Sequence, residues 1–157
     1  MPTKRPNERY LGHEMRIPIS DDGQVAAYVW PIRIVRIQGV PCGGPTVGIE
    51  VRNQEIARFD CHQARGHWHG GRYDPENPND SQNPFPEGLS EVADQVAWAF
   101  GKIRDDAADL VRAAEFTDEA EGVQAEMVAA AVEALSTHLA GQGDLRSKAI
   151  ADNLIQG

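Results

Sequence analysis

Apolar residues change period once along this chain, and that change restricts it to few folds. Up to about residue 72 they recur at every second position between turn signals; from residue 89 they recur at spacings of three, four and seven. A period of two belongs to strands with one buried face, and a period near 3.6 to helices with one apolar stripe. In Met15-Arg16-Ile17-Pro18-Ile19 the apolar residues alternate, and Asp21-Asp22-Gly23 supplies a turn. Residues 28–37 are β-branched and aromatic. Pro31 has no N–H to give to a ladder, which predicts an edge or a bulge, and the alternation slips again near Val35-Arg36. Pro41-Cys42-Gly43-Gly44-Pro45 reads as a turn. Residues 46–52 alternate with Val47, Ile49 and Val51 on one face, Asn53-Gln54 reads as a hairpin loop, and 55–62 as the next strand. Short strands and tight turns predict an antiparallel β-meander of about five strands over residues 13–72.

Residues 73–88, with four prolines and three asparagines, have no period and read as a connecting loop. Beyond it, Leu89, Val92, Val96, Phe100, Ile103, Leu110 and Ala114 make a helical stripe, with Ser90 as its expected N-cap. Thr117 with Asp118, Glu119 and Glu121 behind it marks a second helix start, because carboxylates favour the positive N-terminal end. Val128, Val132, Leu135 and Leu139 form its buried stripe, and Gly141 and Gly143 end it; residues 144–155 read as a third, short helix. The reading is one α+β domain over 1–157, its helical part (89–156) packed on one face of the sheet. Trp30, Trp68 and Trp98 are expected in the core, and His13, in phase with Met15, is expected to face it.

Charge divides the chain at the same place. Residues 1–75 hold nine arginines and one lysine against eight acids, whereas residues 76–157 hold five basic residues against sixteen acids. The net charge of −9 disfavours a protein that merely coats nucleic acid or an anionic membrane. Two cysteines make no disulfide framework, residues 1–10 have no apolar leader core, and no stretch approaches a membrane span; the expectation is a cytoplasmic protein. Phosphate-loop, Cys-x-x-Cys and Gly-x-Ser-x-Gly patterns are absent.

One segment gathers chemistry: Asp60-Cys61-His62-Gln63-Ala64-Arg65-Gly66-His67-Trp68-His69. If residues 63–66 form a four-residue loop, with Gly66 at positive φ, then His62 lies opposite His67, Asp60 opposite His69, and Cys61 opposite Trp68. Three imidazoles and a carboxylate then crowd the outer face, since opposed Cβ atoms lie about 4.5–5.5 Å apart, while Phe59, Cys61 and Trp68 face the core. Three readings stay open. Asp60 beside His62, His67 and His69 suits acid/base catalysis near neutral pH, and Arg65 and Arg72 suit phosphate, which together make a metal-independent ribonuclease-like hydrolase. The same four side chains suit a divalent metal such as zinc. The plain alternative is that solvent-facing histidines bond only water and neighbours.

The run Phe59-Asp60, His62, Gly66-His67-Trp68-His69, Arg72-Tyr73, followed by a helix with Val96, Phe100 and Ile103, resembles the TumE-type toxin family of toxin–antitoxin loci. The likeness spans about residues 13–105; residues 106–157 lie beyond it. It implies growth inhibition, action on RNA, a neutralising antitoxin partner, and Asp60, His62, His67, His69 and Tyr73 as site residues. A second class of function is an interaction or scaffold protein, with acidic helices at 89–115 and 117–140 pairing in a homo-oligomer or docking a basic partner.

Overall fold

The computed structural model describes residues 1–74 and 76–157. Among these described residues, seven strands form one antiparallel sheet: β1 (Arg9–Leu11), β2 (Met15–Pro18), β3 (Val25–Ile37), β4 (Val40–Val51), β5 (Gln54–Asp60), β6 (His67–His69) and β7 (Gln82–Pro84). From β3 to β7 each strand pairs with the next, and β1 and β2 both pair with β3. Four helices follow: α1 (Val92–Ala113), α2 (Thr117–Glu121), α3 (Ala125–Gly141) and α4 (Leu145–Ala151). The class is α+β, as the period change predicts. The two additional strands, β1 and β7, have three residues each, too few to display alternation. β7 and a 3-10 turn (Pro78–Ser81) lie inside the segment expected to be loop; Pro75 of that segment falls outside the described residues. No described helix is long and apolar enough to cross a membrane.

Several boundaries differ from the sequence reading for local reasons. The first long hairpin turns at Gln38-Gly39, both at positive φ (51° and 80°), and not at residues 41–45, which run inside β4. The Gly-Gly pair serves close approach there: a Cβ on Gly44 would stand 2.2 Å from the Cys61 carbonyl oxygen. The next hairpin turns at Arg52-Asn53, again both at positive φ, one residue earlier than expected. Helix α1 starts after Glu91, without side-chain capping by Ser90. The expected helix from 117 is two, because Val123 bridges Ser20 and the Gln124 N–H donates to the Ile19 carbonyl (3.0 Å), drawing 122–124 out of helical geometry. Asp144 caps α4 by accepting from the Ser147 N–H (3.0 Å). His13 is exposed, not core-facing.

One face of the sheet is apolar. Val25, Ala27, Val29, Val47, Ile49, Ala57 and Phe59 pack against Phe100, Ile103, Val111, Val128 and Leu135 of the helices, with Trp68 and Trp98 at the margin. Ile32 and Ile34 continue that face under Ala149 and Ile155. The opposite face is polar and nonetheless buried: Arg33, Thr46, Glu50, Arg58 and Asp60 are each under 5% exposed. Trp30 is buried on this side, donating its indole N–H to Glu14 (3.0 Å).

Two bulges decide who stands on the polar face. Trp30 pairs with Thr46 but Arg33 with Gly44, so Pro31 and Ile32 oppose Pro45 alone. That extra residue inverts the alternation and turns Arg33 to the side of Thr46 and Asp60. In β5, Glu55 pairs with Glu50 and Ala57 with Ile49, leaving Ile56 as the extra residue. Glu55 thereby joins Arg58 and Asp60 on the polar face. The first bulge is the one Pro31 signals; the slip near Val35-Arg36 is no bulge, since pairing runs unbroken from Val35↔Cys42 to Ile37↔Val40.

Candidate functional site

Strands β5 and β6 pair Arg58 with His69, Phe59 with Trp68 and Asp60 with His67. This register is displaced by two residues from the expected one. An even displacement preserves which residues share a face, so Asp60, His67 and His69 still stand together, with Phe59 and Trp68 stacked on the core side (5.4 Å between ring centroids). The connection is longer than four residues: it includes a 3-10 turn (Gln63–Arg65) clamped by buried Gln95, which accepts from the Gln63 N–H (3.0 Å) and donates to its carbonyl (2.9 Å). Positive φ falls on Gln63 (64°), while Gly66 is extended at −66°. A Cβ on Gly66 would stand 2.7 Å from the Gln95 amide, so closeness and not φ requires glycine there.

The longer loop takes His62 off the ladder. Its ring is buried against Gly44, neither ring nitrogen has a hydrogen-bond partner among the described residues, and burial pulls its pKa down to about 4. It is not part of the ligand-forming cluster.

Asp60 is the hub. Its Oδ1 accepts from Arg33 Nη1 (3.0 Å) and Thr46 Oγ1 (3.0 Å), and its Oδ2 from Arg58 Nε (2.9 Å). His67 Nε2 lies 3.3 Å and His69 Nε2 3.8 Å from the same Oδ2. Burial opposes the Asp60 charge, and the Arg58 and Arg33 guanidiniums outweigh it, holding the carboxyl well below the usual range. Behind it, Arg33 grips Glu8 with two bonds (2.6 and 2.7 Å), and Arg58 donates to Glu55 (3.1 Å) and to the Tyr73 hydroxyl (2.6 Å). Tyr28 and Tyr73 both donate to Glu55. Three carboxylates, Glu8, Glu55 and Asp60, thus share the guanidiniums of Arg33 and Arg58 in one network.

The two imidazoles are oriented alike. His67 Nδ1–H donates to the Arg65 carbonyl and His69 Nδ1–H to the Pro78 carbonyl, each at 2.9 Å. These bonds fix the tautomer that leaves the Nε2 lone pairs facing Asp60. His69 is 1% exposed, its Nε2 has no hydrogen-bond partner among the described residues, and burial with the Arg58 charge lowers its pKa to about 4. Burial also works against charge on His67, but the hydrogen bond that a protonated Nε2 gives Asp60 outweighs this and raises its pKa. Asp60 Oδ2 and the two histidines each present one ligand atom, all within 4.8 Å of one another.

A cleft of about 670 Å³ opens on this group, with Arg33, Arg58, Asp60, His67 and His69 inside and Arg5, Arg36 and Arg65 nearer its mouth. Of the residues expected to hold phosphate, Arg65 lines this cleft. Arg72 does not: it is 81% exposed and lies 3.4 Å from Glu115, outside the cleft lining. Tyr73 is buried behind the cleft, where it orients Arg58 and stacks obliquely on His69 (5.2 Å). Arg33, Arg58, Glu8, Thr46 and Glu55 belong to the site without standing among the residues expected from the sequence.

No curated protein and no solved structure matches this chain. One family does, over residues 32–139, a span containing Arg33, Thr46, Glu55, Arg58, Asp60, His67, His69 and Tyr73 but neither Glu8 nor Tyr28. The chain belongs to the family described as "Domain of unknown function (DUF7700)".

Proposed function

We propose that Asp60, His67 and His69 hold one divalent metal ion, with zinc the best fit, and that the cleft is the active site of a metal-dependent hydrolase. The observation that carries this reading is the buried Nε2 of His69, without a hydrogen-bond partner among the described residues and 3.8 Å from a carboxylate oxygen. A lone pair facing an anion in a dry site is repulsive unless a cation lies between them. Ligand atoms about 2.0–2.2 Å from zinc stand roughly 3.3–3.6 Å apart in a tetrahedron, and the Asp60 contacts to His67 and His69 are 3.3 and 3.8 Å. Both imidazoles already donate their far N–H to a carbonyl, the outer support that metal-bound histidines have. Three protein ligands leave a position for water, whose acidity the ion would raise to supply hydroxide near neutral pH.

The test is elemental analysis of untagged protein together with zinc titration calorimetry. One equivalent of metal is expected, with affinity down at least 100-fold in His69→Ala and in His69→Gln, and with circular dichroism confirming that the variants fold. Sub-stoichiometric metal and no zinc heat would discard the reading. A second reading rests on the 3.3 Å Asp60–His67 contact: without metal, His67 acts as an acid and Asp60 orients it. RNA cleavage by a toxin held in check by a partner protein belongs to that reading. It predicts chelator-resistant RNA degradation that is lost in His67→Ala.

A further inference from the structure

Resting on the metal reading, we infer that the substrate of this cleft is a phosphate ester, and that Arg65, with Arg36, binds its phosphate group. Arg33 and Arg58 are inside the cleft but fully committed to Glu8, Glu55 and Asp60, so a ligand gains no charge from them. Arg65 differs. It lines the cleft, is exposed, and has no carboxylate within ion-pair distance among the described residues. Its backbone carbonyl receives the His67 Nδ1–H, which ties the position of this arginine to that of a metal ligand two residues on. Arg36 also lines the cleft and bonds only the Gly39 carbonyl (3.0 Å) among the described groups, so it too lacks a carboxylate partner. Arg5 also lines the cleft, where its charge acts on Glu8.

A positive mouth in a protein of net charge −9 selects an anion locally against the field of the whole molecule. A planar carboxylate is satisfied by one guanidinium fork. A tetrahedral phosphate offers oxygens enough for two forks and a metal ion at once, the combination this cleft would present with its ion bound. The volume of about 670 Å³ suits a nucleotide-sized group. The reaction balances as hydrolysis. Water oxygen bonds to phosphorus, the ester P–O bond breaks with its electron pair going to the leaving alcohol, and a proton from water ends on that alcohol. No oxidant or reductant enters.

The test uses the full zinc-loaded chain with 4-nitrophenyl phosphate and bis(4-nitrophenyl) phosphate as monoester and diester probes, and with inorganic phosphate as competitor. Expected are release of nitrophenolate from one probe, inhibition by phosphate, and a rise in KM of at least tenfold in Arg65→Ala with zinc stoichiometry and kcat nearly unchanged. Arg65→Lys recovers part of the loss, and Arg72→Ala behaves as wild type. Full zinc occupancy with neither probe hydrolysed and no phosphate binding would overturn this inference while leaving the metal reading intact. Wild-type KM in Arg65→Ala removes Arg65 from the proposal, and absence of bound zinc overturns both readings together.

Discussion

The two faces of the sheet are buried by different means. The helix-covered face is filled by Val47, Ile49, Val51, Phe59 and their neighbours, whose contacts are many, weak and non-directional. The opposite face is filled by charges whose bonds are few and directional, with Asp60 accepting from Arg33, Thr46 and Arg58 at once. Apolar packing degrades gradually when a methylene is lost. A buried ionic network fails when one member is lost, because each partner is then left desolvated and uncompensated.

The largest expected effect follows from this contrast. Asp60→Asn keeps the side-chain volume but removes the charge and sets an NH₂ group against guanidinium donors, so it costs about 3–5 kcal/mol. Ile49→Val, in the buried apolar face, costs about 0.5–1.5 kcal/mol. Guanidinium unfolding of the two variants measures the difference. Equal costs would show that the polar face is no more cooperative than the apolar one.

How much of each face can be read from the sequence follows the same division. The apolar face is written in the period of two, and Val47, Ile49, Val51, Phe59 and Trp68 lie where alternation places them. The Asp60, His67 and His69 grouping is also legible, and it survives a register displaced by two because parity is indifferent to even shifts. What alternation hides is the rest of the network. Arg33 and Glu55 reach the polar face only through bulges at Pro31-Ile32 and Ile56, and strict counting puts both on the core side. Glu8 comes from outside the meander. His62 shows the converse: alternation includes it, but the six-residue reversal that Gln95 clamps removes it.

The second effect concerns pH and separates the faces by charge. His62 has a folded-state pKa of about 4 against an ordinary 6.5. Between those values the unfolded chain binds a proton that the folded chain refuses, so stability rises with pH through the window and falls on acidification from 6.5 toward 4. Complete passage costs on the order of 3 kcal/mol for this group. His69 titrates in the same window, whereas the Asp60 contribution is lost only at lower pH, because its carboxyl is depressed. Chelator-treated wild type should therefore lose stability steeply between pH 6.5 and 4, and His62→Leu should lose about half as much. Identical slopes would mean that the His62 ring is not buried in the neutral form.

The smallest effect tests where the network ends. Tyr73→Phe removes a hydroxyl that accepts from Arg58 (2.6 Å) and donates to Glu55 (3.0 Å), while the ring stays in place. Arg58 still reaches Glu55 directly at 3.1 Å and Asp60 at 2.9 Å, so no charge is stranded and the cost is about 1 kcal/mol. Arg72, the adjacent residue, pairs with Glu115 at 3.4 Å across open solvent, where screening and side-chain entropy cancel the attraction. Arg72→Ala should leave the unfolding midpoint unchanged at any salt concentration, and Tyr73→Phe should lower it at every one. A salt-dependent loss in Arg72→Ala would extend the ionic network past Tyr73 to the helices, joining two faces that the bulged sheet otherwise keeps apart.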